Sequence, residues 1–318
     1  MILAAGFGTR ARPLTTLRAK PALPVLNRPL LDWTLEWLAS HGTRQVVINT
    51  HHLAHTVREA AGGAARFGME IRFSHERRIL GTGGGPRNVR GFFGRVPFLL
   101  LNGDMLMSFD LGKLVERHRK SGARVTLALQ RNPNPTRYSS VVAGRDGRIR
   151  AIAGRPAQVG GASGLFAGVH VLDPALLESL PARGPCDTVR DLYIPMLAAG
   201  ESVHAAWVRG LWLDIGTPLS YLDAQLALLE RGRAVIHASA QVADGARIRR
   251  SAVGAEARVG PAARIEDSVI WDGAEVGPGA DVRRAIVTSG ARVRSGERIH
   301  GRVVLPVGTR PRSVTLGR

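Results

Sequence analysis

The feature that most constrains the fold is a regular spacing of branched aliphatic residues in the C-terminal third of this 318-residue chain. Isoleucine or valine recurs at intervals of six, six and five residues, so that equivalent positions stand at i and i+17. An α-helix or a single amphipathic strand has a much shorter period. A three-sided coil with one inward-pointing residue on each side repeats at this longer spacing. The positions are Ile236, Val242, Ile248, Val253, Val259, Ile265, Ile270, Val276, Val282, Val287, Val293 and Ile299, and Val304 opens a fifth set.

Stacked coils of this kind bury a continuous apolar column, as solenoid proteins do. Glycines suit the corners between the sides, and they occur at Gly245, Gly254, Gly260, Gly273, Gly277, Gly279 and Gly290. The pattern resembles the left-handed parallel β-helix built from hexapeptide repeats. We therefore predict a domain of that type over residues 235–318.

The preceding part of the chain alternates short apolar strands with helical segments. The predicted strands are Met1–Ala5, Gln45–Thr50, Glu70–Ser74, Pro97–Leu101, Arg124–Gln130, Leu165–Leu172 and Val203–Val208. The predicted helices are Leu30–His41, Leu53–Ala61, Leu111–Arg119, Pro174–Leu180, Val189–Ala199 and Leu219–Arg231. Apolar strands separated by helices indicate a Rossmann-like α/β domain with a mostly parallel sheet covered on both faces. We assign residues 1–222 to this domain and 223–234 to a connecting helix and linker.

Composition narrows the classes of partner. The formal net charge is +19, but the arginines are scattered, aromatic residues make up only 5 %, and no basic helix or nucleic-acid motif is present. An arginine-rich solvated surface, or one that attracts polyanionic nucleotides, therefore fits better than nucleic-acid binding. The single cysteine, Cys186, excludes an intrachain disulfide framework. With no apolar run near the ~18 residues of a membrane span and no signal-peptide pattern, we expect a cytoplasmic protein without a membrane partner.

The N-terminal strand runs directly into the glycine-containing turn Gly6–Arg10. Glycines after a strand let the backbone approach a phosphate, with successive N–H groups facing the anion. Lys20, one of only three lysines among 44 basic residues, adds a cation nearby. An ordinary tight turn has the same local pattern, and neither a Walker loop nor a dinucleotide fingerprint is present.

The longer string is more specific. G-x-G-T-R-x-x-P-L-T followed by K-P-x-x-P resembles the signature of the sugar-1-phosphate nucleotidylyltransferases, also called nucleotide-sugar pyrophosphorylases. The resemblance implies that the turn binds the phosphates of a nucleoside triphosphate. Arg10 would stabilise the leaving pyrophosphate, and Lys20 would act between the α-phosphate and the acceptor phosphate. The nucleotide-binding residues implied here are Leu3, Ala5, Gly6, Gly8 and Thr9.

Two further segments end apolar strands with an acid: Asn102-Gly103-Asp104, and the W-L-D-I-G-T-P run that contains Asp214. Mg²⁺ prefers hard oxygen ligands and is typically held by one or two carboxylates plus substrate phosphates. Plain turns are the alternative, since Asn-Gly and Gly-Asp are common turn pairs. The resemblance implies that Asp104 and Asp214 hold Mg²⁺ and that Asn102 contacts the sugar phosphate.

The run from Leu80 to Gly85 resembles the family's L-G-T-x-G segment around the nucleotide base, although its glycine density is also typical of a flexible loop. The resemblance assigns Gly81 and Thr82 to the nucleotide and Glu76 to the base. A carboxylate accepts both N1–H and N2–H of guanine but only one N–H of uracil, which favours GTP. Glutamate followed by a triple glycine also resembles uridylyltransferases that act on N-acetylmuramic acid 1-phosphate.

The segment Phe166–His170 resembles the family's A-G-I-Y strand and places Gly168 against the sugar. Where the family usually has F-x-E-K-P, this chain has Ile152–Pro156, in which Arg155 is positioned to bind the phosphate. Gly154 replaces the usual acid. That departure leaves open which sugar is bound and whether the site turns over.

We therefore expect a Mg²⁺-dependent transfer of a nucleotidyl group to a sugar 1-phosphate, with mannose 1-phosphate and GTP as the first choice. Uridylyl or thymidylyl transfer to glucose 1-phosphate or N-acetylmuramic acid 1-phosphate is the alternative. A regulatory subunit that binds a nucleotide-sugar without turnover is an alternative of another class. We also expect a homo-oligomer formed through the β-helix.

Overall fold

A computed structural model describes residues 1–62, 67–157, 160–230 and 232–317. The chain forms two compact units, and each is described by itself. Unit 1 contains Met1–Phe7 and Leu31–Trp212, and unit 2 contains Gly8–Leu30 and Leu213–Arg318. We refer to Gly8–Leu30 as the N-terminal loop.

The described part of the chain up to Asp214 contains thirteen strands. They are β1 (Ile2–Leu3), β2 (Pro24–Val25), β3 (Arg28–Pro29), β4 (Gln45–Thr50), β5 (Glu70–His75), β6 (Phe98–Asn102), β7 (Met105–Ser108), β8 (Val125–Gln130), β9 (Ser140–Ala143), β10 (Ile149–Ile152), β11 (Ala162–Leu172), β12 (Val203–Trp207) and β13 (Leu211–Asp214). The α-helices are α1 (Leu30–Ser40), α2 (Ala54–Ala61), α3 (Gly81–Asn88), α4 (Leu111–Ser121), α5 (Ile194–Ala198) and α6 (Pro218–Leu228).

Unit 1 is built on a nine-stranded sheet with the order β10-β9-β11-β6-β1-β4-β5, and β8 joins it beside β11 and carries β12. The pairs β1–β4, β1–β6, β4–β5 and β8–β12 are parallel. The eleven-residue strand β11 runs antiparallel to β6, β8 and β9, so the sheet is mixed. The Rossmann-like α/β class is confirmed. The strands β9 and β10 were not predicted, because their short apolar stretches are interrupted by the polar turn of a hairpin.

Burial follows the apolar character of the strands. In β8 every residue from Val125 to Leu129 is buried, which shows that this part of the sheet is covered on both faces. The ring of Phe93 stacks on Phe98 with centroids 3.7 Å apart at the rim of the same core. The predicted helix Pro174–Leu180 is a 3₁₀-helix over Pro174–Ser179, and the one predicted over Val189–Ala199 is π-helical before α5 begins.

Unit 2 contains the predicted β-helix, whose parallel strands pair residue i with residue i+17, as in Val253 with Ile270 and Val259 with Val276. Its strands are β14 (Val235–Ile236), β15 (Gln241–Val242), β16 (Arg247–Arg249), β17 (Ala252–Val253), β18 (Arg258–Val259), β19 (Arg264–Glu266), β20 (Val269–Ile270), β21 (Glu275–Val276), β22 (Asp281–Arg283), β23 (Ile286–Val287), β24 (Arg292–Val293), β25 (Arg298–His300), β26 (Arg302–Val304) and β27 (Ser313–Thr315). They form three sheets, β14-β17-β20-β23-β26-β27, β15-β18-β21-β24 and β16-β19-β22-β25.

The predicted inward positions form the apolar column. Those from the second coil onward are buried: Val253, Val259, Ile265, Ile270, Val276, Val282, Val287, Val293, Ile299 and Val304. In the first coil Ile236 and Val242 remain 44 % and 39 % exposed, because that coil ends the stack. At the other end the antiparallel strand β27 closes the column beside β26.

The helix predicted over 219–231 is observed as α6, and Arg231 lies outside the described residues. Thr217 caps α6 by accepting a hydrogen bond from Ser220 N, and Pro218 occupies the first turn, where its missing N–H costs nothing. Among the described residues, no helix has the length and apolar character needed to cross a membrane.

A buried imidazole in β11 makes the stability of unit 1 depend on pH. His170 Nδ1 lies 2.5 Å from the hydroxyl of Tyr193, and burial lowers the pKa of His170 to about 3, although the charge of Asp187 opposes the shift. The unfolded chain binds a proton at this residue near pH 6.5 and the folded chain does not. The free energy of unfolding therefore falls as the pH drops below about 6.5, by up to about 1.4 kcal/mol per pH unit.

We predict that His170→Gln removes this contribution while keeping a polar side chain beside Tyr193. Between pH 7 and pH 5 the wild-type chain should lose about 2 kcal/mol of unfolding free energy more than the variant. Urea unfolding at the two pH values measures both slopes. Equal slopes for the two proteins would show that His170 does not stay neutral in the folded state.

Candidate functional site

The carboxyl ends of β1 and β6 meet at one edge of the unit 1 sheet. Leu3 is paired with Asn102, and the N–H of Gly103 donates to the Leu3 carbonyl oxygen over 3.0 Å. A Cβ at Gly103 would lie 2.6 Å from that oxygen, so only glycine permits this approach. Leu3 and the turn that leads into the half-buried Asp104 are thereby brought together. Beyond β1, Ala5 is buried and Gly6 is exposed.

Gly168 joins the same edge through a bulge in β11. The register between β11 and β8 shifts between Phe166 and His170, and Gly168 has φ +79°. A Cβ there would lie 2.8 Å from Met105 Sδ and 3.3 Å from the side chain of Asn102. A bulge re-aims a strand locally and favours glycine at positive φ. Two predicted sugar-side residues, Asn102 and Gly168, are therefore neighbours.

A chain of hydrogen bonds connects β1 to the segment before α3. Ala4 N donates to Asn49 Oδ1 (2.7 Å), Asn49 Nδ2 donates to Glu76 Oε1 (2.7 Å), and Leu80 N donates to Glu76 Oε2 (2.8 Å). Glu76 is only 2 % exposed. Both carboxylate oxygens thus have protein partners, and the contact of Glu76 with a nucleotide base stays a prediction. Sequence reasoning missed Asn49, which no local pattern distinguishes.

The glycine-rich run from Gly81 is helix α3 and not a flexible loop. The Cys186 carbonyl accepts from the N–H groups of Gly83 (2.9 Å) and Gly84 (3.3 Å), which satisfies free donors of the first turn. Gly81 has φ +77°, and a Cβ there would lie 2.5 Å from the same carbonyl oxygen. These glycines make close packing possible, and they do not confer mobility.

Thr82 is also engaged within unit 1. Its hydroxyl donates to Asp187 Oδ2 over 2.7 Å and accepts from the N–H of Thr188 over 2.9 Å. The hydroxyl therefore ties α3 to the segment after Cys186. The predicted nucleotide contact of Thr82 is untested by this arrangement.

Arg155 follows a two-residue hairpin turn. Ile152 and Arg155 exchange backbone hydrogen bonds of 2.9 and 3.0 Å, and the residues between them, Ala153 and Gly154, have φ +50° and +74°. Positive φ at both central positions is the type I′ turn, which favours glycine. The backbone thus gives a physical reason for glycine at position 154, and Arg155 is exposed.

In unit 2, the predicted phosphate-binding glycine and lysine pack together. Gly8 has φ +61°, and Thr15 Oγ1 donates to its carbonyl oxygen over 2.9 Å. A Cβ on Gly8 would lie 2.7 Å from Thr15 Cγ2 and 3.5 Å from Lys20 Cε. Lys20 is 9 % exposed, whereas Thr9 and Arg10 are exposed in the 3₁₀ turn Thr9–Ala11.

The N-terminal loop is strongly cationic, because its five charged residues are all basic: Arg10, Arg12, Arg18, Lys20 and Arg28. Backbone N–H groups at a positive-φ glycine beside such a field suit an anion. The loop therefore has the chemistry of a polyphosphate-binding segment.

The second predicted metal ligand, Asp214, also lies in unit 2 and is 9 % exposed. A Cβ at Gly216 would lie 2.8 and 2.9 Å from its two carboxylate oxygens, so the carboxylate occupies space that only glycine leaves open. A carboxylate is a hard oxygen donor of the kind that suits Mg²⁺, and the half-buried Asp104 in unit 1 carries another. That these two carboxylates share one Mg²⁺ ion stays a prediction. No group of three or more His, Cys, Asp or Glu side chains able to hold a metal occurs in the described part of the chain.

The predicted site residues are divided between the units. Those in unit 1 are Leu3, Ala5, Gly6, Glu76, Gly81, Thr82, Asn102, Asp104, Arg155 and Gly168, and those in unit 2 are Gly8, Thr9, Arg10, Lys20 and Asp214.

Comparison with known families identifies two regions of the chain. Residues 1–231 match the family described as Nucleotidyl transferase, and residues 231–310 match the GMPPB C-terminal domain. The chain therefore belongs to the nucleotidyl transferase family and carries a GMPPB-type C-terminal domain.

The individual relatives carry the names of two kinds of enzyme, a uridylyltransferase and guanylyltransferases. The chain is 31 % identical over 245 residues to UTP–glucose-1-phosphate uridylyltransferase of Synechocystis, covering 73 % of this chain and 63 % of that protein. It is 30 % identical over 237 residues to the mannose-1-phosphate guanylyltransferase catalytic subunit beta of Danio rerio, covering 73 % and 65 %. It is 30 % identical over 258 residues to mannose-1-phosphate guanylyltransferase of Mycobacterium tuberculosis, covering 77 % and 72 %. The chain thus spans less than two thirds of the length of the first two of these relatives.

Among solved structures, HddC from Yersinia pseudotuberculosis superposes with a TM-score of 0.61 at 21 % identity. The match covers 72 % of this chain and 98 % of that one. At this identity the likeness concerns the fold alone.

The packing of α3 on the Asn49–Glu76 pair generates a prediction. A Cβ at Gly85 would lie 2.9 Å from Asn49 Nδ2 and 3.1 Å from Glu76 Oε1. In Gly85→Ala we expect the unfolding free energy to fall by about 1–3 kcal/mol through overpacking, despite the helix preference of alanine. Chemical denaturation measures the change.

Gly91→Ala is the matched control, because nothing lies within 4 Å of a Cβ there. We expect that variant to be neutral or stabilised by up to about 1 kcal/mol. Similar stability losses in both variants would contradict the packing argument.

Proposed function

We propose that this protein transfers a nucleotidyl group from a nucleoside triphosphate to a sugar 1-phosphate, releasing pyrophosphate. The observation that carries the proposal is the packing of Gly8 against Lys20 in a loop whose charged side chains are all basic. Membership of the nucleotidyl transferase family supports it. The names of the relatives supply the sugar-phosphate class of acceptor.

In the proposed reaction a phosphate oxygen of the sugar 1-phosphate attacks the α-phosphorus of the triphosphate in line. The new O–P bond forms as the bond to the bridging oxygen breaks, and pyrophosphate leaves with the electron pair. The attacking phosphate is ionised at neutral pH, so no general base is required. Positioning and charge neutralisation then dominate the catalysis.

The residues of the chain divide the work. The Gly6–Arg10 turn binds the β- and γ-phosphates, and Arg10 stabilises the departing pyrophosphate. Lys20 neutralises charge between the α-phosphate and the acceptor, and Arg155 binds the acceptor phosphate. Asp104 and Asp214 would hold Mg²⁺, and a bound divalent cation would supply charge neutralisation between the two anions.

We further propose GTP and mannose 1-phosphate as the substrates. The C-terminal match to the GMPPB domain and the guanylyltransferase names of several relatives favour this pair. The Synechocystis relative favours UTP and glucose 1-phosphate as the second candidate. Four nucleoside triphosphates tested against mannose, glucose and N-acetylmuramic acid 1-phosphates, scored by pyrophosphate, distinguish the pairs.

A regulatory subunit without turnover is the candidate from a different class, and the absence of an acid at Gly154 favours it. The type I′ turn weakens that inference, because it gives glycine a backbone role at this position. Nucleotide-sugar binding without pyrophosphate release for any substrate pair would support the regulatory candidate over the enzyme.

We predict that Lys20→Met lowers kcat/KM for pyrophosphate release by about 10²–10³-fold, because one preorganised cationic donor is lost. Thermal unfolding of the variant, measured in parallel, separates a loss of activity from a loss of stability. Lys113→Met is the matched control, because the Lys113 side chain is 76 % exposed and pairs with Asp110 at the surface. Retention of full activity in Lys20→Met would refute the assignment.

We predict that Asp104→Asn raises the Mg²⁺ concentration needed for half-maximal activity and lowers the maximal rate by at least tenfold, because a charged ligand is removed. Asp110→Asn is the control, since asparagine preserves its N-cap to Lys113 N at the start of α4. Magnesium titrations of the three proteins test this, and superimposable curves would remove Asp104 from the metal site.

A further inference from the structure

Besides its internal contacts, the N-terminal loop is held by bonds to α6 and to the β-helix. It consists of three 3₁₀ turns, Thr9–Ala11, Leu14–Thr16 and Lys20–Ala22, followed by the β2–β3 ribbon. Such short elements are marginal alone. By contact pattern the loop belongs with Leu213–Arg318.

The tip of the β2–β3 ribbon is bonded to α6 and to the first two coils. Leu26 and Asn27 have φ +48° and +65°, which makes a type I′ turn. Leu26 N donates to Oε1 of the fully buried Gln225 over 3.0 Å. Asn27 Nδ2 donates to the carbonyl oxygens of Val253 (2.8 Å) and Val235 (3.3 Å). One side chain thus fixes the tip to two successive coils.

A second anchor reaches Pro24 from the third coil. Trp271 Nε1 donates to the Tyr221 hydroxyl (2.9 Å), which in turn donates to the Pro24 carbonyl oxygen (2.5 Å). Trp271 and Tyr221 are 1 % and 0 % exposed. Burial raises the pKa of Tyr221, so its hydroxyl remains a donor at all physiological pH values.

A third anchor lies two residues before Lys20. Arg18 Nη2 donates to Asp272 Oδ2 (2.5 Å) and to Ser289 Oγ (3.1 Å). Its guanidinium also lies over the Trp271 ring, 5.3 Å from the centroid. The side chains of Arg18 and Asp272 are 27 % and 42 % exposed. Several weak contacts therefore combine on one arginine, which suits its planar geometry.

The two anchors on the third coil flank Lys20 in the chain, at Arg18 and at Pro24. Because Lys20 lies between fixed points two and four residues away, its backbone has little freedom to move. We propose that Trp271 and Asp272 are positioning residues, through which the β-helix holds Lys20 for nucleotidyl transfer. This inference rests on the proposed function for its catalytic part only.

Asp272→Ala tests the proposal, and Asp223→Ala is its matched control. Asp223 pairs with Arg284 over 3.0 Å between α6 and the β-helix, with side chains 52 % and 48 % exposed, so its ion pair lies outside the N-terminal loop. We expect hydrogen exchange in peptides covering residues 18–24 to accelerate at least tenfold in Asp272→Ala and to remain unchanged in Asp223→Ala. Unchanged exchange in Asp272→Ala would overturn the anchoring, whether or not the protein proves to be an enzyme.

The catalytic part is tested by a double-mutant cycle with Lys20→Met. Asp272→Ala should lower kcat at least tenfold with a smaller change in KM for the triphosphate. In the Lys20→Met background it should cost less than twofold, because the group that it positions is gone. Equal losses in both backgrounds would show that Asp272 acts independently of Lys20.

Trp271→Phe keeps an aromatic ring and removes the donor to Tyr221. We expect it also to lower kcat, and to do so less in the Lys20→Met background. Full additivity with Lys20→Met would exclude a positioning role for Trp271.

Discussion

A buried carboxylate organises the edge of unit 1 where the predicted nucleotide residues lie. Removing Glu76 from water is costly unless its oxygens are hydrogen-bonded, and the Asn49 amide and the Leu80 N–H meet that requirement. Asn49 in turn accepts from Ala4 N at the end of β1. Three stretches of chain are thus held together by one polar network, and Gly85, the last of the three consecutive glycines in α3, packs against it.

In unit 2 most of the predicted site residues lie in the N-terminal loop, which is attached to the β-helix. The apolar column supplies the scaffold, and its coils bond the N-terminal loop in three ways. The Asp272 carboxylate and the Val253 carbonyl oxygen accept from the loop directly, and the Trp271 indole acts through Tyr221. The loop has little regular structure, so these external bonds help to fix its conformation together with bonds inside it, such as that from Thr15 Oγ1 to the Gly8 carbonyl oxygen. Because all charged residues of the loop are basic, no ion pair can form inside it. A loop anchored from outside can therefore carry a net positive charge, which suits a polyphosphate.

Sequence reasoning succeeded where the information is local or periodic. The recurrence at i and i+17 was decisive because each coil repeats the same inward position, and the strand ends at Asn102 and Asp214 were visible from apolar runs stopped by turn residues. It failed for α3, whose first turn is completed by the carbonyl of Cys186, which is distant in the chain. It also missed Asn49, and it did not associate residues 8–30 with Trp271 and Asp272, because those bonds join opposite ends of the chain. The sequence drew attention to Gly154 and Gly168, but it did not predict the type I′ turn at Gly154 or the bulge at Gly168. Both depend on how the strands pair in the folded sheet.

The two ends of the apolar column differ, and the difference bears on how such a domain tolerates changes in length. One end is closed by the hairpin of β26 and β27, whereas Ile236 and Val242 leave the other partly open to solvent. Every parallel pairing along the column is a translation by one turn of the coil, from residue i to residue i+17. An insertion or deletion of one whole turn at the open end therefore preserves the alignment of every remaining neighbour, while any other length rotates the aliphatic residues out of the interior. The column is modular in steps of a single winding, but a change of length at the open end also alters one attachment of the N-terminal loop, because Asn27 bonds the first two coils at Val235 and Val253.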